Sequence, residues 1–61
     1  NGIKILGGKT GYTELAGYCF VGRFTNKDGK EIISVILGAE SNDSRFSETK
    51  GLVEKVFQSG I

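Results

Sequence analysis

The chain has 61 residues, 38% hydrophobic and 25% charged, with eight basic against seven acidic side chains for a net charge of +1. That balance belongs to a globular chain rather than a disordered one, and its scattered charges form no basic stripe of the kind nucleic-acid binding needs. Histidine is absent and Cys19 is the only cysteine, so neither a disulfide framework within the chain nor a typical zinc set is available, and no metal or cofactor is expected. No apolar run reaches the ~18 residues that span a bilayer, and no signal peptide or lipidation motif is visible. A chain this short buries only ~60% of the surface it exposes when unfolded, which makes its core marginal. It starts at Asn1 without a methionine, and the expectation is a processed chain or a piece of a longer one.

The first predicted element is a strand over Ile3 to Thr13, rich in glycine and β-formers, with Ile3 and Ile5 alternating around Lys4. The second runs from Ala16 to Thr25, "AGYCFVGRFT", with Tyr18, Phe20 and Phe24 on one pleat face and Cys19, Val21 and Arg23 on the other. "NKDGK" follows, and its Asn26, Asp28 and Gly29 suit a hairpin turn. A third strand, Glu31 to Leu37, is therefore expected antiparallel to the second. It is apolar on both faces, with Ile33, Val35 and Leu37 against Ile32 and Ile36, the pattern of a strand covered on both sides.

The run "ESNDS" supplies helix N-caps, with Asp43 or Ser44 favoured, and the helix is predicted to run to about Gln58 with Gly60 ending it. Phe46, Leu52, Val53, Val56 and Phe57 fall on one side. Gly51, a residue that costs ~1 kcal/mol inside a helix relative to alanine, is expected to mark a close packing contact. The fold class is thus α+β, a three-stranded antiparallel meander followed by one C-terminal helix. One helix covers one sheet face, and the face carrying Ile32 and Ile36 is expected to stand in water, at a loss of roughly 1.5–3 kcal/mol per large apolar side chain. A neighbour is therefore expected to be missing.

"ILGGKTGYT" at residues 5 to 13 admits two parses. A phosphate-binding P-loop ending at Gly8-Lys9-Thr10 needs its first glycine at position 3, where Ile3 stands, and a helix after the Lys-Thr pair. Here Gly11, Thr13 and Gly17 lead into strand alternation instead. The other parse is Lys9-Thr10-Gly11, a K-T-G triplet whose bland alternative is a lysine beside a turn. Ser47-Glu48-Thr49-Lys50 satisfies S-x-x-K as text, yet Ser47 lies ~140° around the helix from the apolar face, so a chance match is expected. "SND" at Ser41 to Asp43 reads as a helix cap. Cys19 reads as a small core hydrophobe, since no histidine could activate it, Tyr18, Phe20 and Phe24 read as core, and Glu14 as a solvated turn residue.

The text around the triplet, "GGKTGYTELAGYCFVGRF", "DGKEIISVILGA" and "SRFSETKGLVEKVF", resembles the carboxyl-terminal stretch of the catalytic domain of serine-type D-alanyl-D-alanine carboxypeptidases, the low-molecular-mass penicillin-binding proteins. The resemblance covers nearly the whole chain. It implies that residues 1–61 are the incomplete carboxyl-terminal part of a DD-peptidase domain that uses S-x-x-K, S-x-N and K-T-G motifs, of which only the third is here. Such an enzyme forms an acyl-enzyme on serine, trims the terminal D-alanine from peptidoglycan stem peptides and binds penicillin. By that resemblance Lys9 supplies charge beside the active-site serines, Thr10 a hydroxyl for the substrate carboxylate, Gly11 an open strand edge, and the Tyr12 backbone N–H half of the oxyanion hole. Arg45 matches an arginine near that carboxylate.

The resemblance further implies the remainder of the domain as partner, stem peptide and β-lactams as ligands, a bacterial envelope location outside the cytoplasm with membrane association of the parent, and no activity for the chain alone. Self-association through the exposed strand 31–37 is also expected. The alternatives are a non-catalytic module that binds a partner along its β-edge, a fragment of a related β-lactamase, or a small phosphate-binding domain.

Overall fold

The computed structural model describes residues 2–60. Strands β1 (Lys4–Thr13), β2 (Gly17–Thr25) and β3 (Glu31–Ala39) form one antiparallel sheet in the order β1-β2-β3, and helix α1 (Asn42–Gln58) follows. This is the α+β meander and helix that the alternation and turn chemistry predict. At the β2–β3 turn Asn26 closes the loop, its Oδ1 accepting from the backbone N–H of Asp28 at 3.0 Å and of Lys30 at 2.9 Å.

The helix packs on β2 and β3. Register decides which face it covers: Phe20 pairs with Ile36 and Phe24 with Ile32, so these four side chains lie on one side of the sheet. Phe20, Phe24 and Val53 of the helix form the core, with Ile3, Ile32 and Phe57 packed against it. The expectation for β3 is thereby inverted. Ile32 and Ile36 are covered, and it is Ile33, Val35 and Leu37 that face solvent, 66%, 52% and 73% exposed. The reason is that the two phenylalanines carry the larger apolar surface, and the isoleucines paired with them share their cover.

β3 also runs two residues beyond its expected end. Between Tyr18 and Phe20 the register shifts, so that Cys19 of β2 opposes Leu37 and Gly38 of β3, and Gly38 takes φ 75°. This bulge turns Ala39 inward, where it is buried. A second shift lies between Ile5 and Gly7 of β1. Gly8, which on the K-T-G parse is expected to ease a bend in the strand, is not the residue at that shift. Its missing side chain makes room for Phe20, whose ring carbons Cζ and Cε1 would stand 2.7 and 2.9 Å from an added Cβ.

The helix starts earlier than expected. Ser41, not Asp43 or Ser44, is the N-cap: its Oγ accepts from the Ser44 N–H at 3.0 Å while Ser44 Oγ accepts from the Ser41 N–H at 2.9 Å. Ser41 wins because its partner three residues on completes a reciprocal box, which leaves Asp43 free in the first turn against the positive end of the helix dipole. Ser59 caps the other end and Gly60 follows at φ 85°. Thr49, unremarked among the apolar positions, is buried, because its Oγ1 donates to the Arg45 carbonyl at 2.6 Å and leaves the methyl for the core. Leu52 sits at the margin, 43% exposed.

Gly51 makes no close contact: an added Cβ meets nothing within 4 Å. The expectation of tight packing there is wrong, and only the helix-propensity term remains. Gly51→Ala therefore stabilises the chain by about 0.5–1 kcal/mol, read as a raised melting temperature by circular dichroism, and a lowered one would contradict the open surface.

Candidate functional site

The β1 triplet sits on a sheet edge, since β1 pairs only with β2 among the described residues. Beyond the bulge at the start of β1, Thr10 pairs with Phe20 and Tyr12 with Tyr18, which places both on the helix side of the sheet. Lys9 pairs with Val21 and Gly11 with Cys19, which places them on the other side. The triplet thus presents its cation and its hydroxyl on opposite sides of one strand, with the strand edge between them.

Lys9 is exposed, and its Nζ donates to the Thr10 carbonyl at 2.8 Å. Thr10 is half-buried. Gly11 is exposed, and a Cβ built on it meets nothing within 4 Å, so the backbone there is open to close approach. Tyr12 is 56% exposed, and its ring packs tilted against that of Tyr18 with centroids 4.6 Å apart.

Arg45, one turn into the helix, is the residue that ties this end of the sheet together. Its Nη1 donates to the carbonyls of Gly11 at 3.1 Å and Cys19 at 3.3 Å, and its Nη2 donates to Asn42 Oδ1. The guanidinium lies 5.3 Å from the Tyr18 ring centroid and 5.4 Å from that of Phe46. Nε is buried and has no partner among the described residues. The structure therefore brings Arg45 to the backbone of the triplet and onto the side that Thr10 shares. It leaves Lys9 on the opposite side.

Tyr18 and Asn42 are the contributors that sequence reasoning passes over. Tyr18 reads as plain core yet is only half-buried and stands between Tyr12 and Arg45. Asn42 carried a signal, its spacing of three residues before Arg45 on a helix. Cys19 lies not in the core but half-buried on the uncovered side, its Sγ near the carbonyls of Gly17 and Ala16 at 3.6 and 3.7 Å. Ser47 is exposed and donates to the Ser44 carbonyl at 3.2 Å, a helix-surface bond with no link to Lys50. Glu14 is exposed in the β1–β2 turn. A groove of about 280 Å³ between β1 and α1 is lined chiefly by apolar groups, among them Ile5, Phe24 and Val53, and by none of the triplet's own residues. Among the described residues no cluster of three or more Cys, Asp or Glu could hold a metal, and no helix is long and apolar enough to cross a membrane.

No solved structure matches the chain. A family model described as D-alanyl-D-alanine carboxypeptidase matches residues 1–41, which takes in all three strands, the Lys9-Thr10-Gly11 edge and the helix cap at Ser41. With two thirds of its length matched, this chain belongs to the D-alanyl-D-alanine carboxypeptidase family.

Proposed function

We propose that the chain is the carboxyl-terminal part of the catalytic domain of a serine-type D-alanyl-D-alanine carboxypeptidase, and that it supplies the K-T-G wall of an active site whose nucleophile lies elsewhere. The single observation that carries this is the placement of Lys9-Thr10-Gly11 on an exposed edge strand of a sheet whose sequence matches the family. A stem peptide ending in two D-alanines is an extended chain, and it would pair along this edge as an added strand, with Gly11 leaving room for its backbone.

In that arrangement Lys9 brings its ammonium to one side of the edge, next to the serines of the two motifs absent from these 61 residues. Thr10 offers its hydroxyl to the substrate carboxylate on the other side, where Arg45 adds positive charge. The Tyr12 N–H contributes half of the oxyanion hole and the nucleophile's own N–H the rest. Serine attack on the D-Ala-D-Ala peptide bond expels D-alanine, and water then releases the shortened peptide. A penicillin would acylate the same serine. The location is the bacterial envelope outside the cytoplasm, where that substrate is found.

The decisive test is labelling by a fluorescent penicillin. The chain alone stays unlabelled, and the domain that combines it with upstream S-x-x-K and S-x-N segments is labelled on serine. A parent sequence without those segments, or a combined domain that takes no label, would sink the reading. A combined domain of β-lactamase type differs in outcome by releasing the label through hydrolysis of the acyl-enzyme.

The edge of β3, unpaired among the described residues, and its exposed Ile33, Val35 and Leu37 also favour self-association of the isolated chain, through pairing of one β3 with another. Light scattering should show the mean mass rising with concentration. A constant monomer mass would argue against it.

A further inference from the structure

We propose that Glu14 is a specificity residue of the candidate site, one that reads a positively charged side chain on the substrate residue just before the two D-alanines. The proposal rests on the carboxypeptidase reading and adds a subsite to it. On that reading two points fix a direction along the edge: the terminal carboxylate goes to the Thr10 hydroxyl, and the carbonyl of the bond to be cut goes to the Tyr12 N–H. The substrate chain therefore runs antiparallel to β1, and the part that precedes the two D-alanines is directed past Tyr12 toward the β1–β2 turn. The lengths agree. At about 3.3 Å per residue, the strand from Thr10 to Thr13 covers about 10 Å, and three substrate residues cover the same distance. The residue before the D-alanines thus arrives opposite Thr13, with Glu14 next to it.

The turn at that point is pinned and carries one charge. Thr13 Oγ1 accepts from the Ala16 N–H at 2.9 Å, which closes the turn around Glu14 and Leu15. Glu14 is exposed and has no ion pair or hydrogen bond among the described residues. It is also the only acidic residue in positions 4–16, a stretch whose cations are Lys4 and Lys9. The substrate edge is polarised as a result. Lys9 stands at the end that receives the terminal carboxylate, and an uncompensated carboxylate stands at the end that receives the rest of the peptide. A substrate that matches this pattern carries an anion at its carboxyl terminus and a cation two residues earlier.

With the complete domain, release of D-alanine is followed from L-lysyl-D-alanyl-D-alanine blocked at its α-amine, and from the same peptide acetylated on Nε, which removes the charge and keeps the side-chain stem. The wild type favours the free ammonium in kcat/KM by about two- to fivefold, the effect of one exposed ion pair, and added salt shrinks the preference. Glu14→Gln brings the ratio to about one, and Glu14→Lys inverts it on the same scale. Because both peptides meet one enzyme sample, the ratio is independent of how much variant is folded. Glu40→Gln is the control: Glu40 follows Ala39, which pairs with Tyr18, so it shares this end of the sheet but lies two strands from the β1 edge. Its ratio stays at the wild-type value. A wild type without preference, a preference that survives Glu14→Gln, or an equal fall in Glu40→Gln would overturn the proposal. Penicillin labelling of the wild-type domain checks the carboxypeptidase reading separately. A labelled domain without preference refutes the role of Glu14 alone, and an unlabelled domain that cuts neither peptide refutes the reading and the subsite together.

Discussion

Gly22→Ala destabilises the chain by about 1–3 kcal/mol, the cost of forcing a methyl group into a filled core. Gly22 is buried on β2 between Phe20 and Phe24, and a Cβ built on it would lie 2.6 and 2.8 Å from Phe24 ring carbons and 2.9 Å from a Phe20 ring carbon. Both rings belong to the core and face Val53 of the helix. Neither can swing away without opening the contact that holds helix to sheet. In a domain of about this size each kcal/mol moves the melting temperature by about 4–8 °C, so the shift is easily read in a thermal scan. Gly11→Ala is the control, because its Cβ enters open space and should leave the melting temperature nearly unchanged. A Gly22→Ala chain that melts with the wild type would show that the two rings do not pack over this residue.

On the carboxypeptidase reading proposed above, Lys9→Gln lowers the acylation rate of the complete domain by about 10²–10³-fold, the usual effect of removing one preorganised charge or donor from a reacting centre. It leaves stability within about 0.5 kcal/mol, because the side chain is exposed and its one bond is to the neighbouring Thr10 carbonyl. Glutamine keeps a donor on a side chain one atom shorter while deleting the charge, so the two readouts separate electrostatics from packing. Stopped-flow labelling with the fluorescent penicillin gives the rate and a thermal scan gives the stability. A rate within about twofold of wild type would remove Lys9 from the mechanism, on the same scale of expected effects.

These two glycines and one lysine also show where sequence reading reaches its limit. The family of the chain was legible from the text around Lys9-Thr10-Gly11, because the family match covers the same strands. The packing role of Gly22 was not. A glycine in a strand announces only that something lies close or that the chain bends, and which of the two depends on rings contributed by the residues on either side of it. Gly8 and Gly51 make the same point in opposite directions. One looks like a bend and accommodates a phenylalanine, while the other looks like a contact and touches nothing. The cap is similar: Ser41, Asn42, Asp43 and Ser44 all have capping side chains, and only the reciprocal bonds between Ser41 and Ser44 choose among them.

By itself the sequence determined the number, order and type of the elements, because alternation with period two, the Asn26 turn and helical spacing are local properties of consecutive residues. It also determined the family, through the text of residues that lie on all three strands. The tertiary structure alone decided which faces those elements present. A bulge between Ile5 and Gly7 sets Thr10 and Tyr12 toward the helix and Lys9 away from it, and the pairing of Phe20 with Ile36 puts Ile33, Val35 and Leu37 in solvent. The physical reason is that strand side chains repeat every two residues, so one inserted residue reverses everything beyond it. Whether a residue is inserted is settled by the partner strand rather than by the strand's own sequence. The bridge from Arg45 to Gly11 and Cys19 spans 34 and 26 residues of chain, and it exists only once the helix has been laid against that register.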